Sequence, residues 1–243
     1  MTGPKVFQAR VSPLVFAEID EPLASFLQTP PSPESVLRFA TGLNADGSLP
    51  AMIARYREIS PEPVPMNFSP VDARLDDKLV GPLRAAKAAY MLGTPMATVA
   101  LTGTVAEMIA VLLWEVAEVT VNGDPITQDI EKALFSSAFE KLGQERRESV
   151  LKAHGLISTE TASDFRTIRT VRRKYLHLWK QDHDHLAADA IICYAAAVRL
   201  AVGVIGQLAD GGVIQLSGPM TKYLEREGRL QDVPSAAQDA SDS

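Results

Sequence analysis

Cysteine is nearly absent from this chain, since Cys193 is the only one among 243 residues. A single cysteine excludes an intramolecular disulfide and a zinc site built from several thiolates. A reducing compartment therefore fits best. A chain of this length makes one large domain, or one domain with an appendage, and buries about 70–75% of its unfolded surface. It needs neither a disulfide nor a metal ion to stabilise its core.

Common catalytic and nucleotide-binding signatures are also missing. The sequence contains no GxxxxGK[ST] loop, GxGxxG turn, HExxH pair or GxSxG elbow. These absences argue against a P-loop triphosphatase, a dinucleotide-dependent oxidoreductase and a common hydrolase. We predict no cofactor and no metal.

The sequence predicts neither a leader peptide nor a membrane span. The N-terminal residues lack the apolar centre of a signal peptide. The most apolar stretch, residues 187–209, contains Asp189 and Arg199, and a charge near the middle of a membrane helix costs about 2.5–3.5 kcal/mol. We therefore expect a buried core helix at this point, in a cytoplasmic protein that does not cross a membrane.

The charge balance is acidic. The formal net charge is -6, the sequence pI is about 5.3, and 46% of the residues are hydrophobic. This composition excludes a disordered or collagen-like chain. It is also a poor basis for coating DNA without specificity, because such binding depends on neutralised phosphates. A small, locally basic nucleic-acid site stays compatible with it.

Proline divides the chain, because 11 of the 16 prolines lie within residues 1–70. Proline fixes φ and removes a backbone donor, so this region cannot form a long continuous helix. We predict an irregular Pro-rich segment over residues 1–69, with a short strand near Val6–Val11 and short helices near residues 34–42 and 50–59. The polar, acidic residues 231–243 are predicted to form a disordered tail.

From residue 70 onward the apolar residues recur at helical period. Ser69-Pro70 and Thr94-Pro95 each combine an N-cap with proline at the first helical position. We predict an all-α fold, in which residues 70–209 form a bundle of four to five core helices and residues 210–230 add a short helix. The predicted helices cover residues 70–92 with a kink or break at Gly81-Pro82, a stretch from Thr94, 128–154, 158–180, 184–208 and 220–227.

The segment Asp164–Lys180 concentrates positive charge. Its net charge is +5, against -11 for the rest of the chain. A basic stripe on an acidic body is an electrostatic footprint for an anion. The alternative is a solvated helix face whose cations balance acidic neighbours. Its cations are Arg166, Arg169, Arg172, Arg173, Lys174 and Lys180.

His177 lies within this basic segment. A histidine titrates near neutral pH and can move protons in general acid–base catalysis. On an ideal helix Arg173 shares its face, whereas Arg172 points roughly 140° away. Arg172 and His177 can converge only if the helix ends or distorts near Leu176, or if a second subunit supplies one of them. The alternative is a capping or packed histidine beside Trp179.

Three further groups have simpler interpretations. The stretch Asp182–His185 alternates carboxylates and imidazoles, but adjacent residues at a helix start converge poorly on one ion, and Asp184 fits an N-cap. His154 beside Gly155 is typical of a helix C-terminus. Cys193 lies in an apolar helix and is predicted to be a buried small hydrophobe.

The region from about Leu75 to Gly206 resembles the HEPN superfamily of small all-helical domains. LRAAKAAYMLGTPMATVALTGTVAEMIAVLLWEV resembles the opening helical hairpin, in which a glycine turn precedes an alanine-rich helix with an acidic residue. LKAHGLISTETASDFRTIRTVRRKYLHLW resembles the segment that leads into the motif helix. Arg172 to His177 matches the signature of arginine, four to six residues, then histidine.

The resemblance implies a helical bundle that dimerises through the motif helices. In active members the arginine and histidine of both subunits form a composite site that cuts RNA without a metal. Carried over, Arg172 contacts the scissile phosphate and His177 moves a proton. From the basic stripe we also predict RNA contacts by Arg166, Arg169, Arg173 and Lys174. We therefore predict a metal-independent endoribonuclease of the toxin or phage-defence type, acting as a homodimer.

One residue departs from that pattern. Active members usually carry Asn, Asp or His directly after the arginine, where this chain has Arg173. The alternative is thus a non-catalytic module whose basic helix binds RNA, a nucleotide or an acidic protein, with the Pro-rich N-terminal segment docking another chain. A purely structural helical protein, whose stripe is neutralised by internal ion pairs, is a third interpretation.

Overall fold

The protein is mostly helical, as the sequence predicts. The computed structural model describes residues 7–10, 15–18, 48–60, 73–177, 182–208 and 214–229. It divides the chain into two compact units, Met1–Arg55 and Tyr56–Ser243. This division falls earlier in the chain than the boundary that the proline distribution suggests at residue 69.

The first unit contains a short β-hairpin. Strand β1, Phe7–Arg10, pairs antiparallel with β2, Val15–Glu18, so that Phe7 lies opposite Glu18. Helix α1, Ser48–Ile59, begins in this unit and ends in the second. The strand predicted near residues 6–11 and the helix predicted near residues 50–59 are therefore confirmed. The helix predicted over residues 34–42 and the tail over residues 231–243 lie outside the described residues.

The second unit is built from helices joined by short connections. A 3-10 turn covers Phe139–Lys141. Two short antiparallel pairs also occur: β3, Thr120–Val121, with β4, Asp124–Pro125, and β5, Gly206–Leu208, with β6, Ile214–Leu216. The helices are α2 (Ala73–Leu75), α3 (Gly81–Met91), α4 (Pro95–Val116), α5 (Gln128–Phe135), α6 (Gln144–Ala153), α7 (Thr159–Leu176), α8 (Leu186–Ile205) and α9 (Gly218–Arg226).

Several boundaries differ from the predicted ones. The stretch predicted as one helical run over residues 128–154 is interrupted, because Ser136 takes a left-handed conformation at φ 63° and ends α5. The turn at Asn122-Gly123 has positive φ at both residues, which joins strands too short to show alternation in the sequence. At the start of α8 the N-cap residue is His185, not Asp184, and its side chain makes no cap hydrogen bond.

Pro82 is accommodated by a π-turn, Asp76–Val80, between α2 and α3. Proline cannot donate to the carbonyl four residues earlier, and its ring collides with that carbonyl. The preceding N–H, that of Gly81, donates instead to the Asp76 carbonyl five residues back. The predicted disturbance at Gly81-Pro82 is thus a widened helical turn rather than a break in the chain of helices.

Helix α4 lies at the centre of the second unit. It packs against α3, α6, α7, α8 and α9. Small residues line its buried face and the facing side of α8, and they let the helix backbones approach closely. Larger side chains from α7, Phe165 and Ile168, fill the space beside them with no exposed surface. The small buried residues are Val99, Gly103, Ala106 and Ala110 of α4 and Ala190, Cys193, Ala196, Ala197 and Ala201 of α8.

Length and composition alone would let α4 and α8 span a membrane. Core helices of water-soluble proteins meet the same criteria. Both helices also carry ionised side chains that form ion pairs: Glu107 of α4 with Arg172, and Asp189 of α8 with Lys174.

The thiol of Cys193 is predicted to be unreactive in the folded protein. It is completely buried, and burial raises its pKa from 9.0 to about 12. Because only the thiolate attacks an alkylating reagent, this rise lowers the reactive fraction about 1,000-fold at pH 8. Iodoacetamide labelling followed by mass spectrometry should be slow in buffer and fast in 6 M guanidinium. Rapid labelling without denaturant would show that α8 is not packed as described.

Candidate functional site

A basic cleft of about 720 Å³ opens between α4, α6 and α7. Its walls carry four arginines, one histidine and two carboxylates. It contains four of the six side chains that the sequence nominated as the site, together with residues from helices outside the basic segment. The charged and titratable lining residues are Arg146, Arg169, Arg172, Arg173, His177, Glu107 and Glu145.

Helix α7 directs Arg169, Arg172 and Arg173 into the cleft because its other face is buried. Its start is capped by Ser158, whose hydroxyl accepts a hydrogen bond of 3.1 Å from the Thr161 backbone N–H, as is typical of serine at this position. Phe165, Ile168 and Val171 are buried in the core. The arginines between them are left to face the cleft or solvent.

The end of α7 brings the motif residues to one cleft. The last helical residue is Leu176, and His177 departs from helical geometry at φ -123° and ψ -14°. Its backbone N–H still donates to the Arg173 carbonyl at 3.3 Å. This is the break that Arg172 and His177 require in order to converge within one chain, and both line the same cleft.

Arg172 is held in place by α4. Its aliphatic stem lies against Gly103, where a Cβ atom would stand 2.5 Å from Arg172 Cδ and 3.0 Å from its Nε. Its Nη1 pairs with the Glu107 carboxylate. Its Nε is buried and has no hydrogen-bond partner among the described residues. One residue of α4 thus receives the stem, and another, one turn later, binds the head group.

Arg169 is held by α6. It contacts Glu145 at 3.2 Å and makes a two-point contact with Glu148, each bond 3.2 Å long. Burial raises the pKa of Glu148, and the Arg169 guanidinium opposes this rise. The buried Arg147 connects α6 to α4, because it donates to the Leu142 carbonyl at 2.9 Å and to the Glu107 carbonyl at 3.2 Å.

Three side chains of the cleft differ from Arg169 and Arg172 in having no partner. Within the described part of the chain, the side chains of Arg146, Arg173 and His177 make no hydrogen bond or ion pair. All three residues are exposed. The cleft therefore contains two arginines that are paired with carboxylates. It also contains three basic side chains that have no partner among the described residues.

Two nominated cations lie elsewhere. Arg166 is exposed and does not line the cleft. Lys174 pairs with Asp189 of α8 at 3.1 Å and lies 4.7 Å from the centre of the Tyr175 ring. The hydrogen bonds of Lys174 to Tyr175 and Asp189 raise its pKa. Lys174 thus connects α7 to α8 outside the cleft. This agrees with the interpretation in which internal ion pairs neutralise the basic stripe.

The sequence did not nominate Gly103, Glu107, Arg146 or Glu148. Glu107 had one signal, as the acidic residue of the alanine-rich helix in the family resemblance. Arg146 had none, because it lies in another helix and reaches the cleft only through the packing of α6 on α7.

The other motif residues have structural surroundings. His154 is the C-cap of α6, followed by Gly155 at φ 69°, and its ring meets Trp114 edge-on at 5.6 Å. This confirms its predicted position at a helix end. In the stretch from Asp182 to His185 the Asp184 N–H donates to the Asp182 carboxylate at 3.4 Å. Across the described ranges, no group of three metal-ligating side chains occurs.

No family model matches the chain, and neither the curated proteins nor the solved structures contain a significant match.

Gly103→Ala is expected to destabilise the protein because the new methyl group would collide with Arg172. Overpacking of this kind costs about 1–3 kcal/mol. Gly203→Ala is the matched control: it places the same methyl group on helix α8 with nothing within 4 Å, and alanine there should stabilise by up to about 1 kcal/mol. Urea denaturation of both variants measures the difference.

The double variant Gly103→Ala/Arg172→Ala identifies the cause. Removing the arginine stem also removes the atoms that the methyl group would meet, so Gly103→Ala should cost nothing in that background. An equal cost in both backgrounds would show that Gly103 matters for a reason other than Arg172.

Proposed function

We propose that this chain is an RNA-directed protein with a HEPN-like helical bundle, acting as a metal-independent endoribonuclease. The observation that supports this most directly is the shared cleft of Arg172 and His177, which lie at the end of the basic helix α7. An acidic chain that nonetheless lines one cleft with four arginines and a histidine favours a polyanionic ligand.

The chemistry suits these residue types. A guanidinium donates charge-assisted hydrogen bonds to phosphate oxygens, so Arg172 would hold the scissile phosphate and stabilise its developing charge. The ribose 2′-oxygen then forms a bond to phosphorus while the bond to the 5′-oxygen breaks. One imidazole accepts the 2′ proton and another protonates the 5′-oxygen. Each chain offers one His177 in its cleft, so the two roles call for a second copy in a dimeric composite site.

Arg172 would bind a phosphate while keeping its contacts with Gly103 and Glu107 of α4. Its Nη1 is paired with Glu107, and its Nε faces the interior. Its Nη2 has no hydrogen bond to the described residues, and it is the nitrogen left for a ligand. Glu107 thus orients the guanidinium and also lowers the net positive charge that a phosphate would meet.

A non-catalytic binding module is the second candidate. The Arg172–Glu107 ion pair favours it, since a carboxylate already occupies part of the guanidinium that would bind the phosphate. Arg173, in place of the usual polar residue, favours it as well. Such a module would bind RNA, a nucleotide or an acidic protein, and its N-terminal segment would dock a partner.

The biological setting is part of the proposal. A ribonuclease of the toxin or phage-defence type acts on cellular RNA, so we place this protein in the cytoplasm. The single cysteine agrees with a reducing compartment.

The experiment is cleavage of a structureless RNA in EDTA by wild type and by His177→Ala. We expect cleavage by wild type and a loss of at least 100-fold in the variant, because general acid–base catalysis contributes about 10²–10⁴-fold. Since the His177 side chain has no partner among the described residues, thermal melting should be unchanged. Equal cleavage by both proteins, or none by either, would remove the enzymatic proposal.

Arg172→Lys and Arg173→Ala assign the phosphate contact. Lysine keeps a cation beside Glu107 but lacks the two-pronged guanidinium, so we expect Arg172→Lys to lose cleavage while the protein stays folded. Lys152→Ala, on the exposed surface of α6 outside the cleft, is the control for loss of charge. Loss of cleavage in Arg173→Ala alone would assign the scissile phosphate to Arg173 instead.

RNA binding without turnover would select the second candidate. Its affinity should then fall steeply with salt, because each phosphate contact releases counterions.

A further inference from the structure

Two arginines of the cleft are not part of the proposed Arg172–His177 site. Arg146 belongs to α6 and Arg173 to α7, so they approach the cleft from different walls. Both are exposed, and among the residues that the structure describes no carboxylate lies within ion-pair distance of either guanidinium.

Their lack of a partner contrasts with the arginines around them. Arg169 is paired with Glu145 and Glu148, and Arg172 with Glu107. Elsewhere Arg199 makes two bonds to Asp164, and Arg226 pairs with Glu118. With 30 Asp and Glu residues in the chain, carboxylates are available to neutralise arginine, yet two cations lining one cleft are left without them. Like charges that face one space repel, and an anion between them removes that repulsion.

A third donor lies in the same cleft. Gln144 lines it, and the side-chain nitrogen of Gln144 is buried with no hydrogen-bond partner within the described ranges. A buried donor without a partner costs free energy, and rotation of the Gln144 amide into the cleft would let a ligand oxygen satisfy it. Gln144 and Arg146 both belong to the first turn of α6, and both line the cleft.

The cleft has room for more than one phosphate group. Its volume of about 720 Å³ lies in the range of sites that enclose whole drug-sized ligands, about 300–1,000 Å³. A single phosphate held by Arg172 and His177 would leave most of this space, and Arg146 on the α6 wall, without a ligand.

We infer that Arg146, Arg173 and Gln144 form a second phosphate-binding subsite in the cleft, so that its ligand is a chain of successive phosphates, the backbone of single-stranded RNA, rather than a mononucleotide. This rests on the proposed function for the identity of the chain. It adds a residue from outside the basic helix to the contact surface, and it assigns Arg173 to binding the strand rather than to the reacting phosphate.

The test measures binding of a 2′-O-methyl uridylate hexamer, which cannot be cut because its 2′-oxygen carries no proton. We expect Arg146→Ala to weaken binding about fivefold to tenfold at 50 mM salt. The slope of log affinity against log salt should fall by about 0.7, the value for one phosphate contact on a single strand. Lys152→Ala removes the same charge from α6 outside the cleft and should change neither quantity. Unaltered melting of Arg146→Ala controls for folding.

Further probes separate the subsite from the RNA proposal. Uridine 3′-monophosphate should bind wild type and Arg146→Ala equally, because one phosphate needs only one subsite. If the hexamer binds Arg146→Ala with wild-type affinity and slope, the second subsite is wrong while the RNA proposal stands. If wild type binds tripolyphosphate through Arg146 but not the hexamer, the anion subsite stands and the RNA proposal fails.

Two results would overturn the inference together with its premise. Tighter binding of a polyglutamate peptide than of the hexamer would identify an acidic protein as the ligand. Binding of none of these probes would show that the cleft is not an anion site.

Discussion

The close contact between α4 and α7 at Gly103 determines where Arg172 lies in the cleft. A glycine in the middle of α4 lets the Arg172 stem lie directly against the helix backbone. Glu107, one turn later on the same face, then binds the guanidinium. Glycine costs helix stability relative to alanine, so its presence in this helix is best explained by the side chain that it accommodates. The arginine is thereby restrained at both its stem and its head.

Ion pairs with carboxylates determine which basic side chains of α7 are left without a partner. The basic helix is not simply a solvated stripe, and it is not fully neutralised either. Arg169 and Lys174 connect α7 to α6 and α8 through carboxylates, which is a structural role. Arg173 and His177 have no such partner within the described residues. Packing thus divides one run of cations into members that join helices and members that face the cleft.

The ends of helices are as important as their faces for this site. An uninterrupted α7 would direct Arg172 and His177 to different sides. Because α7 ends at Leu176, the histidine follows the helix as its C-cap residue and lines the cleft. The start of α6 supplies the opposite wall with Gln144 and Arg146. The cleft is thus lined by residues of both helices.

The sequence by itself determined the helical class, the starts of α4 and α7, the end of α6 at His154 and the burial of Cys193, because caps, proline positions and apolar spacing act over a few residues. It also located the basic helix and placed Arg172 and His177 within it. It could not tell that Lys174 pairs with α8, that Arg172 pairs with Glu107, or that Arg146 enters the cleft. The two ion pairs join residues 15 and 65 positions apart, and only the packing of one helix on another decides which charges meet and which residues line the cleft.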